Sequence, residues 1–472
     1  MGKIAIHDGK GKASEEKITE EKKELRGRQE EQAAVKEAPS ESPQPKAVPP
    51  VSPEPMDDED VLAKTNSLWK YHEIPSEEKE PDRYPEYLVG ADPQKAGWHP
   101  SSVPTVAARV RGKKHKNDGT NCDDWYKVAE WEDIALFAVS DGAGSKRFSR
   151  VGAKAACEAA LAYLQEELPH FFRQNPEIRA NLDLDPKGKG YATYVKMAML
   201  ADCAVAKGYD GIVAAFDERK EAPQYREVLG RELMLSDFSC TFLLAMVVPL
   251  KSGNAVFTCQ VGDGMIALIR SNQEVSSMLK LMADADSGDF SGETDFLTSP
   301  KIMQRAEDGS WPELQRRTKM SKTKANVLLL MTDGVADDYY PNDPEIIRLY
   351  FDLIVNDIWM YDDAEIIQIP GGAEGASLER AMEFGVKPRS YSWINDPAKK
   401  VPLVYAEDVQ EKTGASLQQL WENKEDLRNA FRLMRGKWET QNRDERLKIW
   451  LDNYTERGSF DDRTLVVARL KR

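Results

Sequence analysis

No apolar run in the 472 residues approaches the ~20 that a membrane-spanning helix needs. The N-terminal stretch MGKIAIHDGKGKASEEK has no apolar core of signal-peptide length, and Gly2 is followed by Ile6 where a myristoylation signal calls for Ser or Thr. Five cysteines, at 122, 157, 203, 240 and 259, form no CxxC pair, and their odd number suits reduced thiols. Basic residues are the minority, 65 against 80 acidic, for a formal charge of −15. Such a chain lacks the positive surface that a nucleic acid or an anionic leaflet attracts. Together these absences predict a cytoplasmic protein with neither a nucleic-acid nor a membrane partner.

Aromatic residues are missing from the first sixty or so positions, the first being Trp69. That region runs from a Lys/Glu-rich piece (EEKITEEKKELRGRQEEQ) into a Pro/Ser-rich one (APSESPQPKAVPPVSPEP). It cannot bury enough apolar area to offset its ordering entropy, so residues 1–65 are expected to be a disordered tail. Residues 66–103 read as a lead-in, and 104–472 as the folded domain. Within the latter, VPTVAARVRG reads as a strand and WYKVAEWEDIALFAVSD as a hairpin turning at Glu132-Asp133. SRVGAKAACEAALAYLQEELPHFF and ATYVKMAMLADCAVAKGYDGIVAAF have helical spacing. FSCTFLLAMVVP and AVFTCQVGDGMIALIRS read as paired strands, NVLLLMTDGVADD as a strand ending in Asp-Gly, and GSFDDRTLVVARL as a turn and closing strand. Grouped strands with long helices between them suggest α+β layers. Residues 341–457 read as a helical insertion, with helices expected over SLQQLWENKEDLRNAFRLMRGKW and RDERLKIWLDNYTE.

Acidic residues recur where apolar strands begin or end: Asp123 and Asp124 before WYKVAEW, Asp141 after LFAVS, Asp263 after CQV, Asp333 after LLLMT, Asp461 and Asp462 before TLVVARL. Each alone reads as a turn or cap. Four or five carboxylates at one end of a packed sheet would repel one another unless a cation neutralised them. A carboxylate-rich set with no CxxC pair, and with only His115 nearby among five histidines, suits Mg2+ or Mn2+ better than zinc. Gly142 and Gly334, each following an aspartate, would let a metal or phosphate approach the backbone. Two such ions ~3.5–4 Å apart can activate a bridging water for attack on a phosphoryl group. This chemistry needs no protein nucleophile, and the chain has no GxSxG and no GxxxxGK[ST].

These residues resemble the metal-dependent type 2C (PPM) protein serine/threonine phosphatases, in particular a diverged bacterial branch. The motif RG…H…G..CQDA…V appears as RGKKHKNDGTNCDDWYKV (111–128), followed by DGAGSKRFSRVGA (141–153), FSCTFLLAMVV with VGDGMIALI, LLLMTDGVADD, and DDRTLVVARL. Five blocks stand in the family's order. The resemblance implies a central sandwich of two antiparallel sheets flanked by helices, in four layers α-β-β-α. It implies two Mn2+ or Mg2+ ions, and hydrolysis of phosphoserine or phosphothreonine on a protein phosphorylated by a Ser/Thr kinase through attack by a metal-bridged hydroxide. By the resemblance, Asp141 bridges the metals, the Gly142 carbonyl binds one of them, and Asp333 and Asp461 are further ligands, with Asp462 at the usual Asn. Alignment on G..CQDA makes Asp124 the first-block ligand, with Gly119 and Cys122 in register; alignment on NxDxW makes it Asp123.

The chain departs from the family at two places. The substrate-phosphate Arg about five residues before the first-block aspartate falls at Asp118 or Gly119, leaving Arg111, His115 or Lys116 as substitutes. The His that some members carry two residues after the bridging Asp is Ala143 here. Asp263 is expected to bond backbone amides in a tight turn. The insertion and the tail are candidate docking elements. The alternative function is a pseudophosphatase, a binding module that keeps the fold without turnover.

Overall fold

The computed structural model describes residues 69–92, 100, 103–271, 273–283, 294–339, 345–359, 390–391, 400–401, 403, 405–422, 440, 442–454 and 460–471. The expected tail, residues 1–65, lies outside them. Strands β1 (Tyr87–Val89) and β2 (Thr105–Val110) lead to a short helix, α1 (Lys113–Asp118), and then to the hairpin β3 (Trp125–Trp131) and β4 (Ile134–Ser140). The hairpin turns where expected, with Glu132 at φ 51°. Strand β4 pairs with β5 (Phe242–Leu250), β5 with β6 (Gly253–Val261), and β6 with β9 (Thr318–Thr323). The result is a five-stranded antiparallel sheet of order β3-β4-β5-β6-β9.

The second sheet, also antiparallel, has the order β1-β2-β13-β10-β7-β8, where β7 is Met265–Ile269, β8 Leu279–Leu281, β10 Val327–Met331 and β13 Arg463–Arg469. A minor pair, β11 (Ser390–Tyr391) and β12 (Lys400–Val401), stands apart. The central strands of the six-stranded sheet read as unbroken apolar runs because both faces are buried. On β10, Leu328 and Leu330 join the core shared with the first sheet, while Val327, Leu329 and Met331 join a second core on the opposite face. The period-2 alternation thus divides one apolar string between two cores. The expected pairing of FSCTFLLAMVVP with AVFTCQVGDGMIALIRS is found, and the second segment holds one strand more. Strand β6 pairs with β5, but β7 belongs to the other sheet, so the VGDG turn carries the chain across the sandwich.

Helices α2 (Ser149–Gln174) and α3 (Tyr191–Arg219) cover the first sheet. Small residues bring the two helices close: a Cβ on Gly208 would lie 3.2 Å from the Ala156 carbonyl, and one on Gly211 2.5 Å from the Ala159 Cβ. The second sheet is covered by α4 (Asp333–Tyr339), α5 (Glu345–Val355) and α7 (Arg443–Asn453), with α6 (Ala406–Thr413) beside α5. The architecture is therefore the four-layer α-β-β-α sandwich. Helices between residues 345 and 453 form much of the outer layer. Trp450 is fully buried, stacks on Tyr454 with ring centres 4.4 Å apart, and Asp444 accepts the Ala107 amide of β2 at 2.8 Å. Of the helix expected over 416–438, Leu417–Glu422 is helical and residues 423–439 lie outside the described set. Among the described residues no helix is long and apolar enough to cross a membrane.

Candidate metal centre and the cleft beside it

Register decides where the carboxylates go. Trp125 pairs with Ser140, so Asp124 and Asp141 flank one end of the β3–β4 pair. Met331 pairs with both Leu465 and Met265, so Thr332, Thr464 and Gly264 lie side by side at the same end of the other sheet. Asp333, Asp461 and Asp263 sit one to three residues beyond these positions. Carboxylate oxygens of Asp141, Asp263 and Asp333 all lie within 4.8 Å of one another.

The backbone around this cluster is fixed by hydroxyls. Thr241 Oγ1 accepts the Asp141 amide at 3.0 Å, and the Thr241 amide donates to the Asp141 carbonyl at 2.8 Å. Thr332 and Thr464 both donate to Asp124 Oδ2, at 2.8 and 2.6 Å. Asp124 Oδ1 is buried and receives no hydrogen bond among the described residues. Asp124 and Asp141 are within hydrogen-bonding reach of each other, an arrangement two anions tolerate only by sharing a proton or a cation. Burial, and then the charge of Asp462, pushes the Asp124 carboxyl up to about 7. Asp141 is raised well above the carboxylate range by burial and by Asp333, Asp124 and Asp461. Asp333 is raised likewise by burial, then by Asp263, Asp124 and Asp461. A half-buried, all-oxygen, mutually repelling set with one buried, orphaned oxygen fits a hard divalent cation.

Asp263 is the reading that changes most. Expected in a tight turn bonding amides, it accepts instead from Thr294 Oγ1 at 2.7 Å and belongs to the cluster. The glycines at 142 and 334 also have a packing role. A Cβ on Gly334 would lie 1.9 Å from the Asp462 carbonyl, and one on Gly142 2.7 Å from the Asp123 carbonyl. Neighbouring backbone fills the space on that side, so these glycines permit the blocks to pack against each other.

Asp462 is the knot between blocks. It is 1 % exposed and accepts from the Gly112 amide at 2.6 Å, the Asp123 amide at 2.5 Å and His115 Nδ1 at 2.8 Å. Burial opposes charge on the His115 ring, but Asp462, Asp123 and Asp461 outweigh it and push its pKa up to about 10. In the nearby trio of His115, Asp461 and Asp462, the imidazole Nδ1 is already committed to the Asp462 carboxylate. Asp123 faces this side, with its carboxylate 3.9 Å from both His115 Nε2 and Arg150 Nη1. Asp124 faces Asp141.

Of the three candidate phosphate cations, two lie elsewhere. Arg111 is 1 % exposed; it pairs with Glu86 and donates to the carbonyls of His72 and His115. Lys116 is buried against Asp452 and Tyr87. Only His115 lines the cleft next to the cluster, an opening of about 210 Å3. The other charges there are Lys114, Lys146, Arg147 and Arg150 against Glu80, Asp118 and Asp123. The KRFSR run after DGAGS carries three of those cations and is legible in the sequence. Glu80 has no motif around it and is found only from the structure.

A family model described as protein phosphatase 2C matches residues 111–359, just over half of the chain. No curated protein matches significantly. The chain is similar to several solved structures. The catalytic domain of the serine/threonine protein phosphatase PstP, solved with two manganese ions, is 17 % identical, with 78 % of this chain and 99 % of that one covered and a TM-score of 0.32. The Mycobacterium tuberculosis phosphatase PstP/Ppp is 16 % identical, covering 78 % and 99 %, with a TM-score of 0.31. Stp1 from Staphylococcus aureus is 11 % identical, covering 80 % and 97 %, with a TM-score of 0.31. With the family model spanning the first four motif blocks, and both sheets and all the aspartates of the cluster in one sandwich, this chain belongs to the protein phosphatase 2C family.

Proposed function

We propose that the chain is a metal-dependent phosphatase acting on phosphoserine and phosphothreonine in a protein substrate made by a Ser/Thr kinase. The observation that carries this reading is the convergence of Asp141, Asp263 and Asp333 within 4.8 Å, with the orphaned Asp124 oxygen beside them. Asp124, Asp141, Asp333 and Asp461 would hold two Mn2+ or Mg2+ ions, with the Gly142 carbonyl, and Asp263 adds a further carboxylate. When bound, such ions supply an activated water and neutralise charge on the phosphoryl oxygens. The chain's own residues orient the ligands: Thr332 and Thr464 aim Asp124, Thr241 clamps the backbone of Asp141, and Asp462 locks the strand start carrying Asp461 to Gly112. Thiol chemistry is disfavoured, because burial raises the thiol pKa of Cys122, Cys157, Cys203 and Cys240.

The test is hydrolysis of an aryl phosphate by purified protein in chelator, then with Mn2+ or Mg2+ restored. Activity should appear only with metal and vanish in Asp141→Asn and Asp333→Asn. Folded protein inactive with every divalent ion would overturn the reading in favour of a binding module.

A further inference from the structure

The cleft next to the metal centre is built unevenly. Its inner part is self-neutralised. Glu80, 1 % exposed, accepts from Arg150 at 2.9 Å and from Asn121 at 3.2 Å on one oxygen, and pairs with Arg147 through the other. Arg150 is used up further by the carbonyls of Pro81, Asp82 and Arg147. Its rim is different. Lys114 is exposed on α1, and Lys146 is half-buried on the loop that continues from Asp141. Neither ammonium has a hydrogen-bond or ion-pair partner among the described residues. Asp237 feels the charge of Lys146, but its carboxylate is already paired with Arg231. A Cβ on Gly144 would lie 3.9 Å from Lys114 Nζ, so Lys114 reaches across to the loop that carries Lys146. Asp118 is the one exposed carboxylate on the same wall.

Two unneutralised cations thus stand at the mouth of the cleft, Lys146 five residues after Asp141 and Lys114 reaching the same loop from α1, on a protein whose formal charge is −15. Long, mobile lysine stems suit a point charge on a flexible partner better than bidentate capture of a fixed phosphoryl group. We propose that this rim is a specificity subsite for an anionic side chain, an aspartate, glutamate or second phosphoresidue, flanking the phosphoresidue of the substrate. The subsite selects acidic phosphopeptides. It rests on the phosphatase reading and deepens it by naming the substrate class.

Exposed ion pairs are worth little each, so two together should give a preference of about 3- to 10-fold that fades as salt is raised. The experiment measures binding of non-hydrolysable phosphonate peptides with Asp or Lys flanks to the Mn2+-loaded protein, by fluorescence anisotropy. Turnover of the matching phosphoserine peptides is measured separately. Wild type should prefer the Asp-flanked peptide, with either an Asp or a second phosphoserine serving, and Lys114→Glu/Lys146→Glu should reverse the preference toward the Lys-flanked one. Loss of affinity for both peptides by the same factor would overturn the proposal, because the lysines would then act on the common phosphoryl group. An unchanged ratio would overturn it too. Charge-dependent binding without turnover of any peptide would instead remove the phosphatase reading and leave the subsite standing.

Discussion

The carboxylate cluster makes an unusual demand: in chelator, replacing one of its members should stabilise the protein. Asp124→Asn is the informative change. The amide oxygen can still accept from Thr332 and Thr464, and the amide nitrogen replaces the orphaned oxygen as a donor to Asp141. Folding raises the Asp124 carboxyl from 3.8 to about 7. A group whose folded pKa is raised favours the folded state while protonated, so this contribution is fully present below pH ~4 and is lost as pH rises toward 7. Roughly three pKa units correspond to about 4 kcal/mol as an upper limit by pH 8. Relaxation and water entry leave an expected gain of ~1–3 kcal/mol for the Asn variant at pH 8, shrinking toward zero at pH 4. Urea denaturation in chelator at both pH values reads this directly. Added Mn2+ should then raise wild-type stability, by about 2.7 kcal/mol at a hundredfold excess over Kd, and raise the variant less. An Asn variant less stable than wild type in chelator at pH 8 would refute the reasoning, because the carboxylate would then be satisfied without a cation.

Gly112→Ala places a Cβ 2.2 Å from the Asp461 carbonyl carbon and 2.6 Å from the Asp462 amide nitrogen, so it must displace the closing block. Metal affinity measured by calorimetry should fall at least tenfold, while an Ala at Gly230, where nothing lies within 4 Å, should leave it unchanged. Trp450→Ala should cost about 3–5 kcal/mol in urea denaturation, because the ring is fully buried and stacked on Tyr454 in the layer over the second sheet. A loss under 1 kcal/mol would show that the insertion is not part of the folded core.

The two long helices, the hairpin turning at Glu132 and the apolar strands were legible because their period and length leave few alternatives. Strand β9 was not, since TKMSKT is short and polar, and its place at a sheet edge comes from pairing with β6. Helix α5 lies within residues 341–457, ahead of the two helices expected there. The aspartates announced themselves by recurring at strand ends, but their partners did not. A linear text shows which residues are charged, and cannot show which charges are already spent. Arg111 and Lys116 looked like phosphate cations until burial showed them paired with Glu86 and Asp452.

By itself the sequence determined the chemistry on offer: oxygen ligands in place of thiols, a chain short of positive charge, and a set of carboxylates placed where strands stop. Period-2 and 3.6-residue patterning also determined the layers. Only the tertiary structure decided which carboxylates meet. Strand register across two sheets brings Asp263 to Asp141 and turns Asp124 and Asp123 to opposite sides, and register is set by pairing between residues distant in sequence, such as Met331 with Met265 and Leu465.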